Sequence, residues 1–458
     1  MSAQFNIINA RSQPRSYLIM RFKARVAVVV LSTMIAFYAI IGGLMTKTGE
    51  AVARQSPANQ LEVFDEVLSH IIRNYVDQPD LEKVRIGSLR GLAEGVDIYS
   101  AYLTPEQVKQ YNPAANQAEI GVVLSKVGGY AYTLAVLKGS PADQAGIRKG
   151  DFIEYIGKVP SRELSLYDAQ QLLSGPAGSP IELRIVHLGQ SRKISVPRAR
   201  IIQPVIESRA EEAGIGYIRV TTLVDGKANE VKSQLSDLVA KGAQKIILDL
   251  RDSSNGKLQE GVAVANLFIG TGTLARLEGK ESRDLQSFAA DPNKVMFNGP
   301  LTVLTDRTTA NAAEIVAAAV RDQKRGEVVG DRTFGAGTEQ KLFSLSDGGA
   351  LLITTAKYAP ASGKAFIEEG VTPTVKVERP AEPEVAPTDS DDDDSDETPQ
   401  TVHPKVEPQA TPPAEDIQLK KAIEILKQAP AKSAAPTKRA AINSSRNRTR
   451  NDDYEFAT

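Results

Sequence analysis

Residues 301–340 read LTVLTDRTTANAAEIVAAAVRDQKRGEVVGDRTFGAGTEQ, and their pattern sets the architecture of the largest domain. The first six residues form an apolar run of strand length, and the run IVAAAV that begins at residue 315 has the composition of a buried helix. Asn311, two alanines and Glu314 precede that run in the order of a capping box. Asn311 is therefore predicted to lie between a strand and a helix.

Strands and helices also alternate upstream of this stretch. GIGYIRVTTL (214–223) and KIILDL (245–250) are predicted strands, whereas a segment through residue 240 and LQEGVAVANLF (258–268) are predicted helices. This alternation indicates an α/β core with a largely parallel sheet. Such sheets bind ligands beyond the carboxyl ends of their strands, and Asn311 is predicted to lie there.

The segment 307–340, together with GVTP at 370–373, resembles the carboxyl-terminal processing peptidases, also called tail-specific proteases. That family is serine-type, with segments that read like SASASEI and TFGKGT. The resemblance places the nucleophile on Asn311, the general base Lys on Ala336, and a Gln that orients the Lys on Gln340. The separation of 25 residues (336 minus 311) matches the family, so a shifted alignment does not explain the mismatch.

Neither Asn311 nor Ala336 carries the chemistry of its position. A Ser hydroxyl needs a neighbouring base, and a desolvated Lys serves because burial lowers its pKa. An Asn amide nitrogen is not a comparable nucleophile, and Ala has no titratable group. We therefore expect a pseudoprotease, a degenerate family member that lacks the Ser/Lys dyad.

The expected oxyanion loop also departs from the family. LDLRDSSNG (248–256) stands where the family reads LDLRNNPGG, so that Ser254 replaces Pro and Asn255 replaces the first Gly. Gly256 is kept. Main-chain donors need a tight loop to point at an oxyanion, and Asn tolerates the left-handed conformation better than most residues. A weakened oxyanion site is expected.

Two other interpretations of these positions stay open. In the first, Asn311 only caps its helix and Ala336 fills a turn between two glycines. In the second, an active endopeptidase takes its nucleophile and base from displaced positions. The hydroxyl candidates are Thr308, Thr309, Ser253 and Ser254, and the amine candidates are Lys257 and Lys324.

Composition excludes several chemistries. The three histidines, His70, His187 and His403, lie outside the predicted core domain, so a Ser-His-Asp triad within that domain is excluded. With no Cys, no zinc or thiolate ligand set is present, and no phosphate-binding loop occurs. We predict no cofactor and no metal.

A second domain resembles a PDZ domain. IGVVLS (120–125), GSPADQAGIRKGDFIEYIG (139–157) and a helix over 165–173 follow in the expected order. A PDZ domain adds a peptide to a sheet edge and holds its terminal carboxylate with backbone amides. The predicted carboxylate-binding and pocket-lining residues are Ile120, Gly121, Val122, Val123, Leu124, Leu166, Ala169 and Leu173. A PDZ fold that serves only as a spacer is the alternative.

The N-terminal segment predicts a membrane anchor. Residues 1–25 carry five cations and no acid, and residues 26–45 are uncharged and long enough to span a bilayer. The cations predict a cytoplasmic N-terminus and an exported remainder. A cleaved signal peptide is the alternative, because Ala51, Val52 and Ala53 suit a signal peptidase.

The C-terminal region changes composition after residue 378. TDSDDDDSDE (388–397) lies in a Pro-rich linker and lacks the EF-hand pattern of a calcium site. EDIQLKKAIEILKQA (415–429) is an amphipathic helix, similar to one in the family, that is expected to dock onto the folded part. The basic tail that follows is expected to be disordered.

The 458 residues, with a net charge of -1, therefore divide into eight predicted segments. They are a basic N-terminus (1–25), an anchor (26–45), a helical region (54–116), a PDZ domain (117–201), the protease-like core (202–378), an acidic linker (379–414), a C-terminal helix (415–429) and a basic tail (430–458). The predicted partners are protein C-termini, the membrane, a second copy of the chain and an active family member, with no nucleic acid. The predicted location is the inner membrane, with the ectodomain on the exported side. A scaffold that binds nothing is the remaining alternative.

Overall fold

The fold is taken from a computed structural model that describes residues 31–38, 57–111, 117–363, 365–367, 369–378 and 415–430. The chain separates into two compact units, residues 1–85 and 86–458. The predicted anchor falls mostly outside the described residues, since only 31–38 of it are described, and these are helical. In the described part of the chain, no helix is both long enough and apolar enough to cross a membrane.

The first unit contains helix α1 (Pro57–Asn74). The sequence pattern predicted this helix, and the apolar side chains at helical spacing lie along it. Leu61, Phe64 and Ile72 are all exposed. Helix α2 (Leu81–Glu94) begins in this unit and ends in the second.

The PDZ domain of the second unit is an antiparallel sheet with two helices. Its strands follow the order β2-β3-β4-β6-β7, and β5 pairs with β4. The strands are β2 (Val122–Val127), β3 (Tyr130–Val136), β4 (Phe152–Ile156), β5 (Val159–Pro160), β6 (Pro180–His187) and β7 (Gln190–Pro197). The helices are α4 (Pro141–Gln144) and α5 (Leu166–Leu173). Ser165 caps α5, and its hydroxyl accepts the amide of Asp168.

The core domain is built on a six-stranded sheet in the order β17-β14-β13-β10-β9-β8. All pairs are parallel except the edge pair of β8 and β9, which confirms the prediction of a largely parallel sheet. The strands are β8 (Glu207–Glu211), β9 (Ile215–Arg219), β10 (Lys245–Asp249), β13 (Leu301–Thr305), β14 (Glu327–Gly330) and β17 (Val375–Lys376).

Helices cover both faces of this sheet, which is why KIILDL is apolar throughout. Ile246 and Leu248 pack on one face against helices α6 (Lys227–Ala240), α7 (Leu258–Asn266) and α8 (Ala312–Asp322). Ile247, between them in the chain, packs on the other face with Ala422 and Leu426. The period of two along a strand produces this alternation.

A third, antiparallel sheet was not predicted from the sequence. Strands β1, β16, β11 and β12 lie side by side in that order, and β15 also pairs with β16. The strands are β1 (Ala101–Leu103), β11 (Thr273–Glu278), β12 (Asp284–Ala289), β15 (Thr338–Ser344) and β16 (Ala350–Ala359). Thr104 caps the short helix α3 (Pro105–Gln110), which follows β1. The sheet joins segments that are far apart in the chain, so local patterns do not reveal it.

Helix α9 (Ile417–Gln428) docks on the core sheet through buried polar contacts. The Arg251 side chain is almost fully buried and donates to Asp249 and, over 2.8 Å, to the Asp416 carboxylate. Asp416 also caps the helix by accepting the amide of Leu419, at 3.0 Å. Lys245 donates to the carbonyl of Leu426 near the other end of the helix, at 2.6 Å. The predicted docking of this segment is therefore present.

We expect Asp416→Ala to lower the free energy of unfolding by about 2–3 kcal/mol, because it removes a helix cap and one partner of a buried guanidinium. Urea unfolding followed by far-ultraviolet circular dichroism measures this, since the chain has no Trp. Glu415→Gln is the matched control, because the Glu415 pair with Lys420 is exposed at both ends and should contribute little to stability. If the two substitutions lowered the free energy of unfolding equally, Asp416 would not hold α9 on the core sheet as described.

Candidate functional site

Asn311 lies where the chain turns sharply from β13 into α8. It is the N-cap residue of α8, with φ 53° and ψ −121°. A positive φ is uncommon for a residue other than Gly and typically costs about 1–3 kcal/mol. A strained strand-to-helix turn of this kind presents the side chain of its apical residue at the end of a sheet. The geometry suited to a nucleophile is therefore present, and an amide occupies it.

The Asn311 side chain contacts the loop that the sequence assigns to the oxyanion site. Its Nδ2 donates to the carbonyl oxygen of Ser254, at 2.9 Å. The main chain of Asn311 therefore caps the helix, as one interpretation of the sequence expected. Its side-chain Nδ2 instead links the turn before α8 to the loop that contains Ser254. This contact holds a group at the apex of the turn that can donate a hydrogen bond and cannot attack a carbonyl carbon.

Glu314 organises the site, although its carboxylate is fully buried. One oxygen accepts the amides of Asn311, at 3.0 Å, and Ala336, at 2.9 Å. The other accepts the Thr333 hydroxyl, at 2.5 Å, and the Gly335 amide, at 2.7 Å. The Glu314 side chain therefore fixes Asn311, at the nucleophile position, relative to the loop that carries Ala336, at the base position. The sequence indicated Glu314 only as a capping-box partner, and that pattern was the available signal.

Burial raises the pKa of Glu314 to about 7, and the hydrogen bonds from Thr333 and the main chain oppose this rise without cancelling it. Removal from water destabilises the ionised form more than the four donors stabilise it.

Ala336 is buried at the junction of the core with the PDZ domain. It shares an apolar cluster with Ala310 and with the aromatic residues Tyr130, Tyr132 and Phe152 of the PDZ sheet. The view of Ala336 as turn filler is therefore incomplete, because its methyl group is part of an interface. Gln340 does not contact it through a hydrogen bond. Gln340 Nε2 donates to the hydroxyls of Thr338 and Thr354 instead, at 2.8 and 3.3 Å.

The loop around Asn255 and Gly256 is tightly packed against Leu223. A Cβ on Gly256 would lie 2.6 Å from the Leu223 Cβ, so the close approach itself requires glycine. The left-handed residue of this loop is Asp252, with φ 62°, and not Asn255 as the sequence suggested. Asn255 is exposed. The replacement of glycine at Asn255 is accommodated because the strained position lies three residues earlier.

The displaced nucleophiles and bases proposed from the sequence do not form pairs. The hydroxyl candidates are all buried, and Thr308 and Thr309 donate to Asp306 or to the carbonyl of Leu250. Lys257 binds Asp225 at 2.6 Å on the surface. Lys324 follows the far end of α8, about 16 Å of helix away from Asn311. The structure thus brings none of these hydroxyls next to either amine.

Lys149 reaches the site from the PDZ domain and was not singled out from the sequence. Its ammonium lies 2.6 Å from Asp252 and 3.6 Å from Asp306. Both contacts are ion pairs with carboxylates of the core domain. Lys149 therefore links the two domains by charge. In the sequence, Lys149 stands out only as part of the PDZ segment AGIRKGD, and this local pattern does not reveal its contacts with Asp252 and Asp306.

The expected peptide groove forms a cavity of about 540 Å³ between the PDZ and core domains, and neither Asn311 nor Ala336 is among its lining residues. The PDZ side of this cavity is formed by β2 and α5 and includes Ile120, Gly121, Val122, Val123, Leu124 and Leu173. The core side includes Asn255 and Gln340. Leu166 and Ala169 were predicted to line the pocket, but they are not among its lining residues and are buried in the PDZ core. Tyr167, Gln170 and Gln171 line the groove from that helix instead.

The predicted carboxylate-binding turn is rigid. Gly121 has φ 86°, and a Cβ there would lie 2.3 Å from the Ser140 Cβ. The carbonyls of Ile120 and Gly121 accept the amides of Ala142 and Leu137, both at 2.9 Å. These bonds fix the turn independently of any ligand.

We expect the free energy of unfolding to fall as the pH rises from about 4.5 to about 7, by up to about 3 kcal/mol from Glu314 alone. A raised pKa in the folded state means that protonation of Glu314 favours folding, and this contribution is lost as the carboxyl ionises. Denaturant unfolding across this pH range measures the slope.

Glu314→Gln should lower stability and remove that part of the slope. Glu260→Gln is the matched control, because Glu260 also accepts two main-chain amides, at 3.1 and 2.7 Å. A slope that is unchanged in Glu314→Gln would show that the buried carboxyl is not the titrating group.

Comparison with known proteins agrees with this geometry. The sequence pattern described as Peptidase family S41 matches residues 214–377, and the PDZ domain pattern matches residues 132–186. The carboxyl-terminal-processing protease of Synechocystis sp. is 30% identical over 70% of this chain and 70% of its own length. The chloroplastic C-terminal processing peptidase of Tetradesmus obliquus is 31% identical over 64% of this chain and 67% of its own.

A solved structure supports the same assignment. The photosystem II D1 C-terminal processing protease superposes with a TM-score of 0.58 and 26% identity, over 70% of this chain and 94% of that one. These matches agree on one assignment: this chain belongs to the carboxyl-terminal processing peptidase family, Peptidase family S41.

Proposed function

We propose that this chain is a family member without peptidase turnover, which binds C-terminal or unfolded peptide segments in its PDZ groove. The observation that carries the proposal is the pairing of an amide at the nucleophile position with a methyl group at the base position. Both lie in a site whose hydrogen-bonded frame is complete, since Glu314 still joins the two loops.

Chemistry argues against hydrolysis at this site. Loss of one member of a nucleophile–base pair typically lowers turnover about a millionfold, and loss of the second adds little. Binding and oxyanion stabilisation alone give about a thousandfold acceleration over water. That residual rate is too low for a physiological protease.

Peptide capture is supported by the groove itself. The rigid turn at Gly121 offers main-chain amides at one end, and β2 offers a strand edge to which an extended peptide can add. Asn255 and Gln340 of the core domain also line this groove, so a bound segment would contact both domains. A peptide would be held there and released intact.

We also propose that the chain is anchored in the inner membrane with its folded part exported. The uncharged segment 26–45 and the cations before it support this. After expression in a Gram-negative host, the full chain should stay with the membranes through an alkaline carbonate wash, whereas residues 54–458 alone should be released. Recovery of a chain that starts near Arg54, by N-terminal mass spectrometry, would favour a cleaved signal peptide instead.

We expect the purified chain to bind an unfolded protein with an apolar C-terminus and leave it uncut. Binding is measured by fluorescence anisotropy, and the same samples are analysed by mass spectrometry after prolonged incubation. The double variant Asn311→Ser with Ala336→Lys tests whether the frame still supports catalysis. We expect it to cleave at least about a thousandfold faster than the original chain, because it restores both members of the pair.

Asn311→Ala is the matched control for contaminating proteases, and Asn311→Ser alone should stay inactive because it has no base. Cleavage by the original chain that Asn311→Ala abolishes would overturn the proposal in favour of an active endopeptidase. A chain that neither binds nor cleaves would overturn it in favour of a scaffold. Binding without cleavage, in both the original chain and the double variant, would support a peptide-binding function.

A further inference from the structure

The peptide groove carries one charged side chain among its described lining residues, and that side chain is Glu119. The other polar side chains that line it are neutral: Gln110, Tyr111, Gln117, Tyr167, Gln170, Gln171, Ser174, Asn255 and Gln340. Carboxamides both donate and accept hydrogen bonds, so they suit the main chain of many peptides. Charge selectivity in this groove therefore depends on Glu119.

The main chain holds Glu119 firmly at the end of the groove. Its amide donates to the carbonyl of Ala199, and its carbonyl accepts the amide of Ala199, both at 2.9 Å. The preceding residue, Ala118, accepts the amide of Gly175, at 2.9 Å, just after α5. Glu119 is also only two residues from Gly121. Its main chain is therefore fixed at this end of the groove, and its side chain lines the same cavity as the turn that is expected to receive a peptide carboxylate.

No cation of the described chain neutralises Glu119. Its carboxylate has no Lys or Arg within 4.0 Å in the part that the structure describes. Arg198 lies close by, 3.1 Å from where a Cβ on Gly175 would stand. However, its guanidinium is occupied: it donates to the carbonyls of Leu172 and Leu173, and to Ser179 and Pro180.

The local environment of Glu119 penalises its negative charge. Its side chain is half-buried, and burial raises its pKa with no opposing charge to offset the effect. A peptide carboxylate at the Gly121 turn would add a second negative charge to the same end of the groove. A cation on the ligand would offset both the burial penalty on Glu119 and the repulsion from the peptide carboxylate, since an opposite charge stabilises a partly buried carboxylate.

We propose that Glu119 makes the groove selective for peptide segments that carry a Lys or Arg side chain within their last three residues. The inference rests on the proposed peptide-binding function and specifies its ligand class. The apolar part of the groove, which includes Ile120, Leu124 and Leu173, accepts an apolar side chain, while Glu119 pairs with the cation. Acidic C-termini are rejected, because they would place like charges together in a partly desolvated site.

The test uses the purified full chain in detergent and fluorescein-labelled octapeptides of one neutral, apolar host sequence. Lys, Gln or Glu is placed at each of the last three positions in turn, and dissociation constants are measured by anisotropy. At one or more positions the Lys peptide should bind about tenfold more tightly than the Glu peptide, with Gln between them. Raising the salt concentration should reduce this ratio, because the pair is only half-buried.

Glu119→Gln should bring the Lys and Glu peptides to within about twofold of each other. Glu182→Gln is the matched control, because Glu182 is an exposed acid on β6 of the same domain and should leave the ratio intact. An unchanged far-ultraviolet circular dichroism spectrum shows that each variant is folded.

The outcomes separate the inference from the function on which it rests. Binding of the Gln peptide with no Lys preference, or with a preference that survives Glu119→Gln, would overturn the role of Glu119 and leave the peptide-binding function standing. Absence of binding by every peptide would overturn the proposed function, and the inference with it.

Discussion

The arrangement of the degenerate site depends on one buried carboxylate, that of Glu314. It accepts four hydrogen bonds, from Asn311, Thr333, Gly335 and Ala336, and thereby joins the start of α8 to the loop after β14. Three of the four donors are main-chain amides, so the bonds do not depend on which side chains stand at positions 311 and 336. Unpaired buried donors are costly, roughly 1–3 kcal/mol each, so the frame persists as long as Glu314 does. The geometry of the site is therefore independent of the chemistry that a family member carries in it.

The two substituted residues fit this frame by different means. The amide of Asn311 donates to the carbonyl of Ser254, and this contact ties its strained turn to the neighbouring loop. Ala336 adds a methyl group to the apolar cluster that it shares with the PDZ tyrosines. Both residues thus stabilise the junction between the loops and the PDZ domain while removing a nucleophile and a base. The same junction brings the peptide groove and the core residues Asn255 and Gln340 around one cavity.

Local sequence patterns predicted individual strands and helices better than they predicted which elements pair with one another. The run KIILDL, the strand before Asn311 and the helix after it were recognisable, because their apolar periodicity is local. The antiparallel sheet was not, since β1 pairs with β16 across about 250 residues of chain. The same limit applies to the site: the capping pattern identified Glu314 as a partner of Asn311, whereas its bonds to residues 333–336 are long-range. Leu166 and Ala169 were placed in the groove because the apolar side of a short helix does not reveal which apolar residues face the ligand and which the core.

The loss of the base also changes the electrostatics between the domains. A lysine at position 336 would place an ammonium among Tyr130, Tyr132 and Phe152, and burying a cation in apolar surroundings is unfavourable unless it is paired. With Ala336 that penalty is absent, and the charge between the domains is carried instead by Lys149, where Asp252 and Asp306 neutralise it. An active site stores an unfavourable interaction of this kind in order to obtain a reactive amine, whereas a binding site has no need of it. The junction between the core and the PDZ domain therefore combines an apolar contact at Ala336 with a paired charge at Lys149, and it holds no buried ammonium at position 336.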